Sequence, residues 1–366
     1  MKSFHRNCIL AAALLALASS PAAIAAIHCV DSALELQQAL VTAAATAGDD
    51  EVRVVAGTYI VPPPPSNGFR YVSSQAGDLV VSGGWDPDAP VGIPPGCEVQ
   101  VPDPALTVLD AQYQIEALVL QPGPASGDLA VHNLTLTQGS SAGNGGGLYA
   151  APYDEAWVGN TTLQSLRVLA NEALQFGAGL YVSVPRGYLR VQNAAVVGNV
   201  SGLTGAGAVL LANGEDSIVA NLTVAGNSSG ATFGAGLMVG GTIPVLLMNS
   251  VLWGNTPDDL QLNGDAIRLH HNFYDSRIGM QPSDEFGTLN GNPMLAGGSL
   301  GLTPTAGSPL VDHGLPVPGG LPTRDVDAGQ RVVGPAVDIG AFEAQIFADG
   351  YEGADDWERP PPVIPQ

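Results

Sequence analysis

The chain has 366 residues, of which 45% are hydrophobic, and its 34 acidic residues outnumber its 12 basic residues to give a net charge of −22. A surface this acidic repels nucleic acids and anionic lipids, so both are excluded as partners. The length and the hydrophobic content are sufficient for a large core.

The first 26 residues have the organisation of a secretory signal peptide. Lys2 and Arg6 precede the apolar stretch from Ile9 to Leu17, and small residues lead to a predicted cleavage after Ala26. The apolar stretch is shorter than the roughly 18 residues of a membrane anchor, which is the less favoured alternative. We expect a protein that is secreted to the extracellular space or the outer cell surface, with no transmembrane segment in the mature chain. Cleavage leaves ten arginines and no lysine against 34 acids, a net charge of −24.

Two cysteines, Cys29 and Cys97, remain after this cleavage. An even number of cysteines in an exported protein indicates a disulfide. We therefore predict that Cys29 and Cys97 are joined. Both precede the repeated part of the chain, so the bond would be structural.

Residues 27–50 predict an N-terminal cap built on a short helix. Leu34, Leu40 and Val41 recur at roughly helical spacing, and Asp31 is a candidate N-cap residue. Stacked β-coils expose unpaired strand edges at an open end. A helix at this point in the chain would cover the first coil.

Residues 51–290 are predicted to form the β-helix, with less regular coils at 51–130 and a repeat of 28 residues within 131–272. Short β-rich strings such as NAAVVGN and NLTVAGN are bounded by Gly, Asn and Ser, and no helical period is present. A propeller blade needs about 40 to 45 residues, whereas 28 residues suit one turn of a parallel β-helix. The predicted fold class is all-β, a parallel β-helix or solenoid. A β-sandwich with chance periodicity is the less favoured alternative.

Three sets of residues repeat in step and predict stacked columns. Equivalent residues of successive coils lie about 4.8 Å apart, so stacked Asn side chains can hydrogen-bond along the axis. Gly-Ala-Gly strings at 177–179, 205–207 and 234–236 mark a bend that needs positive φ or close approach of the backbone. Two Asn ladders are predicted, one of Asn171, Asn199, Asn227 and Asn255, and one of Asn193, Asn221 and Asn249.

Strings at both ends of the repeats resemble a known group. GDDEVRVVAGTYIV (48–61) is similar to the usual first coil of right-handed parallel β-helix proteins of the pectin-lyase-like superfamily. The strings at 292–314 and 325–343, which include SPLVD and DIGAFE, resemble the choice-of-anchor Q domain of bacterial surface and secreted proteins. The resemblance implies a right-handed β-helix, export, and a C-terminal cap at 291–345. An acidic, proline-rich tail follows at 346–366.

The resemblance implies little about activity, because this fold hosts lyases, hydrolases, adhesins and inert stalks. Asp258 and Asp259 are similar to an aspartate motif of pectin-type hydrolases, in which carboxyl groups act as acid and base. Arg268, His270 and His271 are comparable to the site of pectate lyases, in which Arg or Lys is the base. Asp258 and Asp259 could instead belong to a turn, and Arg268, His270 and His271 could lie on a solvated face near the end of a coil. We favour these structural interpretations over catalytic roles.

Four acids near the C-terminus are candidates for a cation site. Asp325, Asp327, Asp338 and Glu343 could bind Ca²⁺ through carboxylate oxygens. Asp325 and Asp327 have the spacing of the first two ligands of a calcium-binding loop, but the positions of Asp338 and Glu343 do not match the later ligands. Arginines lie among these acids, so ion pairs are the favoured interpretation. No other cofactor is indicated.

Tyr149 and Tyr181 are candidate binding residues. Each lies two residues after the last Gly of its bend, as do Val209 and Met238, so stacking would align all four. Facing outward they could contact sugar rings, and facing inward they would be core. We favour the core.

These features predict a non-catalytic, adhesin-like β-helix protein that binds carbohydrate or a cell surface. The alternative is a polysaccharide lyase or glycoside hydrolase. Acids that converge in one groove beside an arginine would favour the enzyme, and a face without such a cluster would favour the binding protein.

Overall fold

The computed structural model describes residues 25–86, 97–232 and 234–344. These residues form a right-handed, all-β parallel solenoid of about eight turns, with coils of about 28 residues and one helix near the N-terminus. The predicted fold class is therefore confirmed. The predicted signal peptide, apart from Ala25 and Ala26, and the tail 346–366 lie outside the described residues.

The strands are short, as the frequent Gly, Asn and Ser residues predict. The first half of the described chain contains β1 (Ala26–Val30), β2 (Asp50–Val55), β3 (Gly57–Ile60), β4 (Arg70–Ser73), β5 (Leu79–Asp86), β6 (Val99–Gln100), β7 (Thr107–Asp110), β8 (Leu118–Pro122), β9 (Leu129–Thr137), β10 (Ser140–Ser141), β11 (Leu148–Ala150), β12 (Thr161–Leu169) and β13 (Glu172–Ala173). The second half contains β14 (Leu180–Val184), β15 (Leu189–Val197), β16 (Val200–Ser201), β17 (Ala208–Ala212), β18 (Ser217–Ala225), β19 (Ser228–Ser229), β20 (Ala235–Gly240), β21 (Val245–Met248), β22 (Val251–Trp253), β23 (Asp258–Asn263), β24 (Ile267–His270), β25 (Arg277–Gly279) and β26 (Asp284–Phe286).

These strands stack into three sheets that run along the solenoid. The path β1-β2-β5-β9-β12-β15-β18-β21-β24-β26 forms most of sheet A, β4-β8-β11-β14-β17-β20-β23-β25 forms sheet B, and β10-β13-β16-β19 forms sheet C. All strand pairs are parallel except that of β5 with β6. Side chains that point inward, mostly Leu, Val and Ala, stack into one continuous core. Burial of these columns is the main stabilising contribution, because each apolar side chain leaves water completely.

The column of Asn171, Asn199, Asn227 and Asn255 forms a buried ladder of hydrogen bonds. The Oδ1 atom of Asn227 accepts from the backbone N and the Nδ2 atom of Asn199, both at 2.9 Å. The same pattern joins the other neighbours in the column. The glycine that ends each Gly-Ala-Gly string leaves room for this ladder, since a Cβ atom on Gly236 would lie 2.2 Å from Cγ of Asn255.

Asn193, Asn221 and Asn249 do not form the second ladder that the sequence predicted. They have φ angles of 56°, 54° and 47°, a left-handed conformation that Asn adopts more readily than other non-glycine residues. At each of these residues the pairing between the strands of sheet A is interrupted. Their Nδ2 atoms donate to backbone carbonyls of the C-terminal segment, at Arg324, Gly340 and Leu315 respectively.

Residues 291–344 run back along the outside of sheet A, whereas the sequence predicted a cap at the end of the solenoid. Three apolar clusters join this segment to outward side chains of the sheet. The segment contributes Leu295, Leu300, Leu302, Leu310, Leu315, Val317, Leu321, Val326, Ile339, Ala341 and Phe342. The difference arises because these apolar residues find partners along the flank of several coils.

Helix α1 (Ala33–Ala45) packs on the first strands of sheets A and B. Its N-cap is Ser32, where the sequence predicted Asp31, and the Ser32 Oγ atom accepts from a backbone N–H three residues further on at 3.3 Å. The buried face consists of Leu36, Ala39, Leu40 and Ala43. Leu34 and Val41, which the sequence assigned to the apolar face, are exposed.

Cys29 and Cys97 form the predicted disulfide and are separated by 68 residues. The bond ties β1 to the segment that precedes β6. We expect the double substitution Cys29→Ser and Cys97→Ser to lower the free energy of unfolding by about 2–4 kcal/mol, since a cross-link across a long loop restricts the unfolded chain. Urea denaturation of the oxidised protein and of the double variant measures this difference, and coincident transitions would contradict the prediction.

Candidate functional site

One row of side chains on sheet B faces outward and passes through both candidate tyrosines. The strand register places Arg70, Val119, Tyr149, Tyr181 and Val209 beside one another in successive coils. Side chains alternate along a strand, so the neighbours of these residues point into the core. The row is therefore part of the outer surface of the sheet.

Tyr149 and Tyr181 are half-buried in this row, whereas the sequence analysis favoured a position in the core. Their rings stack with centroids 5.5 Å apart and an angle of 8° between the planes. Burial raises the pKa of both phenols, so both hydroxyl groups stay protonated at neutral pH and can donate hydrogen bonds. The difference arises because the two-residue alternation of β11 and β14 turns their leucines inward.

A slot of about 230 Å³ lies next to Tyr149 on the side away from Tyr181. The small side chain of Val119 forms its floor, and Tyr149 and Arg70 form opposite walls. These walls are two coil steps apart, about 9.6 Å between backbones. The slot therefore has room for one ring-shaped group against the Tyr149 ring.

Polar side chains border the slot and hold Arg70 in place. The Nη1 atom of Arg70 donates to Oε1 of Gln121 at 3.3 Å, and its Nη2 atom lies 3.5 Å from Oε2 of Glu116. Asn144 completes the border. The slot combines an aromatic wall with amide, carboxylate and guanidinium groups, and the charges of Arg70 and Glu116 compensate each other. Such a combination suits an uncharged, hydroxyl-rich ring.

Asp258 and Asp259, the first candidate catalytic pair, lie at the start of β23 in sheet B. Asp259 is buried and ends the Asn ladder, because its Oδ1 atom accepts from N and Nδ2 of Asn255 at 3.2 and 3.1 Å. Its Oδ2 atom accepts from the backbone N of Asp275 at 3.1 Å. The Asp259 carboxylate is thus saturated by structural donors.

Arg268 and His270, from the second candidate set, lie on the outer face of β24 in sheet A. His270 Nε2 is 2.9 Å from Oδ2 of Asp284, and His271 Nδ1 is 2.6 Å from the carbonyl oxygen of His313. The structure therefore places the two candidate sets on different sheets. Arg268 lines a groove with two other acids, Glu215 and Asp216, and the candidate acids Asp258 and Asp259 do not line it.

The four candidate cation ligands are divided between two structural roles. Asp327 pairs with Arg167 of sheet A. Asp325, Asp338 and Glu343 are buried around Arg331 and accept hydrogen bonds from backbone N–H groups. No group of three or more His, Cys, Asp or Glu residues with the geometry of a metal site occurs in the described parts of the chain.

The slot residues Arg70, Glu116 and Gln121 were missed by sequence analysis. They lie in the early coils, where the spacing is irregular and no 28-residue interval reveals which residues share a column. In the sequence, this surface was indicated only by Tyr149, which lies two residues after the last Gly of its bend. Alignment of the early coils became evident only from the strand pairing.

Comparison of the chain with protein-family models, with curated proteins and with solved structures finds no match. The geometry above defines a parallel β-solenoid with a polar, aromatic slot on one outer face. Among the described residues, no helix has the length and apolar character needed to cross a membrane.

Proposed function

We propose that this protein is a secreted, non-catalytic β-helix protein that binds an uncharged carbohydrate at the slot beside Tyr149. The observation that carries the proposal is the Tyr149 ring at the wall of a slot of about 230 Å³. A pyranose ring presents apolar C–H groups on its faces and hydroxyl groups at its edge. The C–H groups would pack on the Tyr149 ring, and the hydroxyl groups would form hydrogen bonds with Gln121, Glu116 and Asn144.

The charge of the protein supports an uncharged sugar. The mature chain predicted from the sequence would carry a net charge of −24, which disfavours an anionic polymer. Within the slot, Glu116 offsets Arg70, so no unpaired positive charge faces a ligand. The resemblance to the pectin-lyase-like superfamily and to the choice-of-anchor Q domain fits an exported binding protein at a cell surface, and both assignments belong to this proposal.

The proposal predicts that Tyr149→Ala weakens binding to neutral glycans by about fivefold or more, while Tyr149→Phe retains it. The first substitution removes the aromatic wall, worth about 1 kcal/mol or more in sugar contact, and the second keeps the ring. A glycan array identifies the ligand, and isothermal titration calorimetry of both variants measures affinity. Tyr153→Ala is the matched control, since Tyr153 is an exposed tyrosine outside the slot. Equal affinity of wild type and Tyr149→Ala would refute the assignment of the slot.

The same proposal predicts no cleavage of pectate, alginate or polygalacturonan. The candidate catalytic residues lie on two sheets, and the Asp259 carboxylate is held by backbone and ladder donors. Incubation of the purified protein with each polymer, with and without Ca²⁺, should give neither unsaturated products nor new reducing ends. Turnover that disappears in Arg268→Ala would overturn the proposal in favour of a lyase.

A further inference from the structure

Two separate elements cover the outer face of sheet A and leave a gap between them. Over the later coils, Leu315, Val317 and Leu321 of the C-terminal segment pack on the sheet. Over the early coils, the segment 97–106 is held by the Nδ2 atom of Asn133, which donates to the Val101 carbonyl at 2.7 Å. The gap is a cavity of about 410 Å³, which is within the range of small-molecule sites.

The outward side chains of sheet A change character where this cover ends. Ser82, His132, Gln164 and Gln192 occupy one row in successive coils. The row continues beneath the C-terminal segment as apolar Ala220 and Met248. Ser82, His132 and Gln164 therefore line the gap, Gln192 is buried at the edge of the cover, and apolar residues lie beneath it.

Two side chains of this row have hydrogen-bonding groups with no partner in the part of the chain that the structure describes. Gln192 Nε2 donates to the Gly320 carbonyl at 3.2 Å, but the side chains of His132 and Gln164 have no hydrogen-bond partner among the described residues. Burial lowers the pKa of His132, so its neutral ring offers one donor and one acceptor. The Gln164 amide adds donors and an acceptor, a mixture that matches hydroxyl groups.

Among the described residues that line the cavity, one charged side chain has no ion-pair partner, and its charge is positive. Both carboxylate oxygens of Glu51 accept from Arg53 at 2.8 Å, which compensates that acid. Arg324 lines the other side and donates to the Ala328 carbonyl at 3.4 Å, with no salt-bridge partner among the described residues. A guanidinium with free N–H groups favours a carboxylate ligand.

We propose that this cavity binds a small polyhydroxylated monocarboxylate, with its carboxylate at Arg324 and its hydroxyl groups at His132 and Gln164. The site lies on sheet A, on a different face from the slot of sheet B, and it does not depend on the function proposed for that slot. The two sites also differ in charge, since Arg70 in the slot is paired with Glu116, whereas Arg324 has no ion-pair partner among the described residues.

Calorimetric titration with D-gluconate and with sorbitol tests the proposal, since the two probes differ at the carboxylate. We expect gluconate to bind at least about tenfold more tightly, owing to a charge-assisted contact. Arg324→Gln should remove the preference for gluconate over sorbitol. Gln164→Ala should weaken the binding of gluconate. Arg186 is an exposed arginine outside the cavity, so Arg186→Gln is the control and should leave the affinity for gluconate unchanged. Thermal unfolding of each variant verifies its fold. Absence of gluconate binding, equal binding of both probes, or full gluconate affinity in Arg324→Gln would each overturn the proposal.

Discussion

We expect Asn227→Leu to lower the free energy of unfolding by about 3–5 kcal/mol. The side chain of Asn227 makes four hydrogen bonds inside the solenoid, accepting two from Asn199 and donating to Val196 and Asn255. Leucine would leave the Asn199 backbone N–H and several further groups buried without partners. Each buried group that loses its partner costs about 1–3 kcal/mol.

Asn263→Leu is the matched control for this substitution. Asn263 ends β23 with an exposed side chain that has no hydrogen-bond partner among the described residues, so the same chemical change should cost about 0.5 kcal/mol or less. Urea denaturation followed by far-UV circular dichroism measures both variants. A loss below about 1 kcal/mol for Asn227→Leu would contradict the assigned role of the ladder.

The ladder could be predicted from sequence because each coil contributes one Asn at a fixed interval. The interval of 28 residues reveals which residues share a column, but it gives no information on the direction of their side chains. Asn193 and Asn221 show this limit, since they repeat with the same interval and occupy left-handed bends. Asn suits both roles, one through its amide and the other through its tolerance of positive φ.

The packing of the C-terminal segment along sheet A could not be predicted, because this segment does not repeat. The contacts of Asp327 with Arg167 and of Phe342 with Ala195 join residues that are distant in sequence. No periodicity links such pairs. The acids of this region were recognised as a group, but only the fold shows that three of them surround one buried arginine.

The buried group around Arg331 makes the stability of this segment depend on pH. Arg331 and Glu343 are 1% and 0% exposed, and their Nη2 and Oε2 atoms are 3.7 Å apart. Burial raises the pKa of Glu343 to about 7, with the charge of Arg331 opposing the rise. Burial also raises the pKa values of Asp325 and Asp338. The folded protein therefore holds these protons more tightly than the unfolded chain does.

The direction of the pH effect follows from these raised pKa values. The ordinary pKa of Glu343 is 4.5 and its folded-state pKa is about 7. Its contribution to stability is therefore fully present below about pH 4.5 and is lost as the pH rises through 7. We expect the urea concentration at the unfolding midpoint to decrease as the pH is raised from 5 to 8. Glu343→Gln should flatten this dependence, while Glu172→Gln, an exposed acid, should leave it unchanged.

Arg331→Met should destabilise the protein more than Glu343→Gln does. We expect the free energy of unfolding at pH 8 to decrease by about 3–5 kcal/mol, because the substitution leaves three buried acids without their cation. The Nη2 atom of Arg331 also donates to the carbonyls of Asp338 and Gly340 at 3.1 and 2.8 Å, and both bonds would be lost. At pH 5 the loss should be smaller, since protonated carboxyl groups need no counter-charge. Urea denaturation at both pH values measures the difference. An equal loss at pH 5 and pH 8 would show that Arg331 acts through its hydrogen bonds and packing alone.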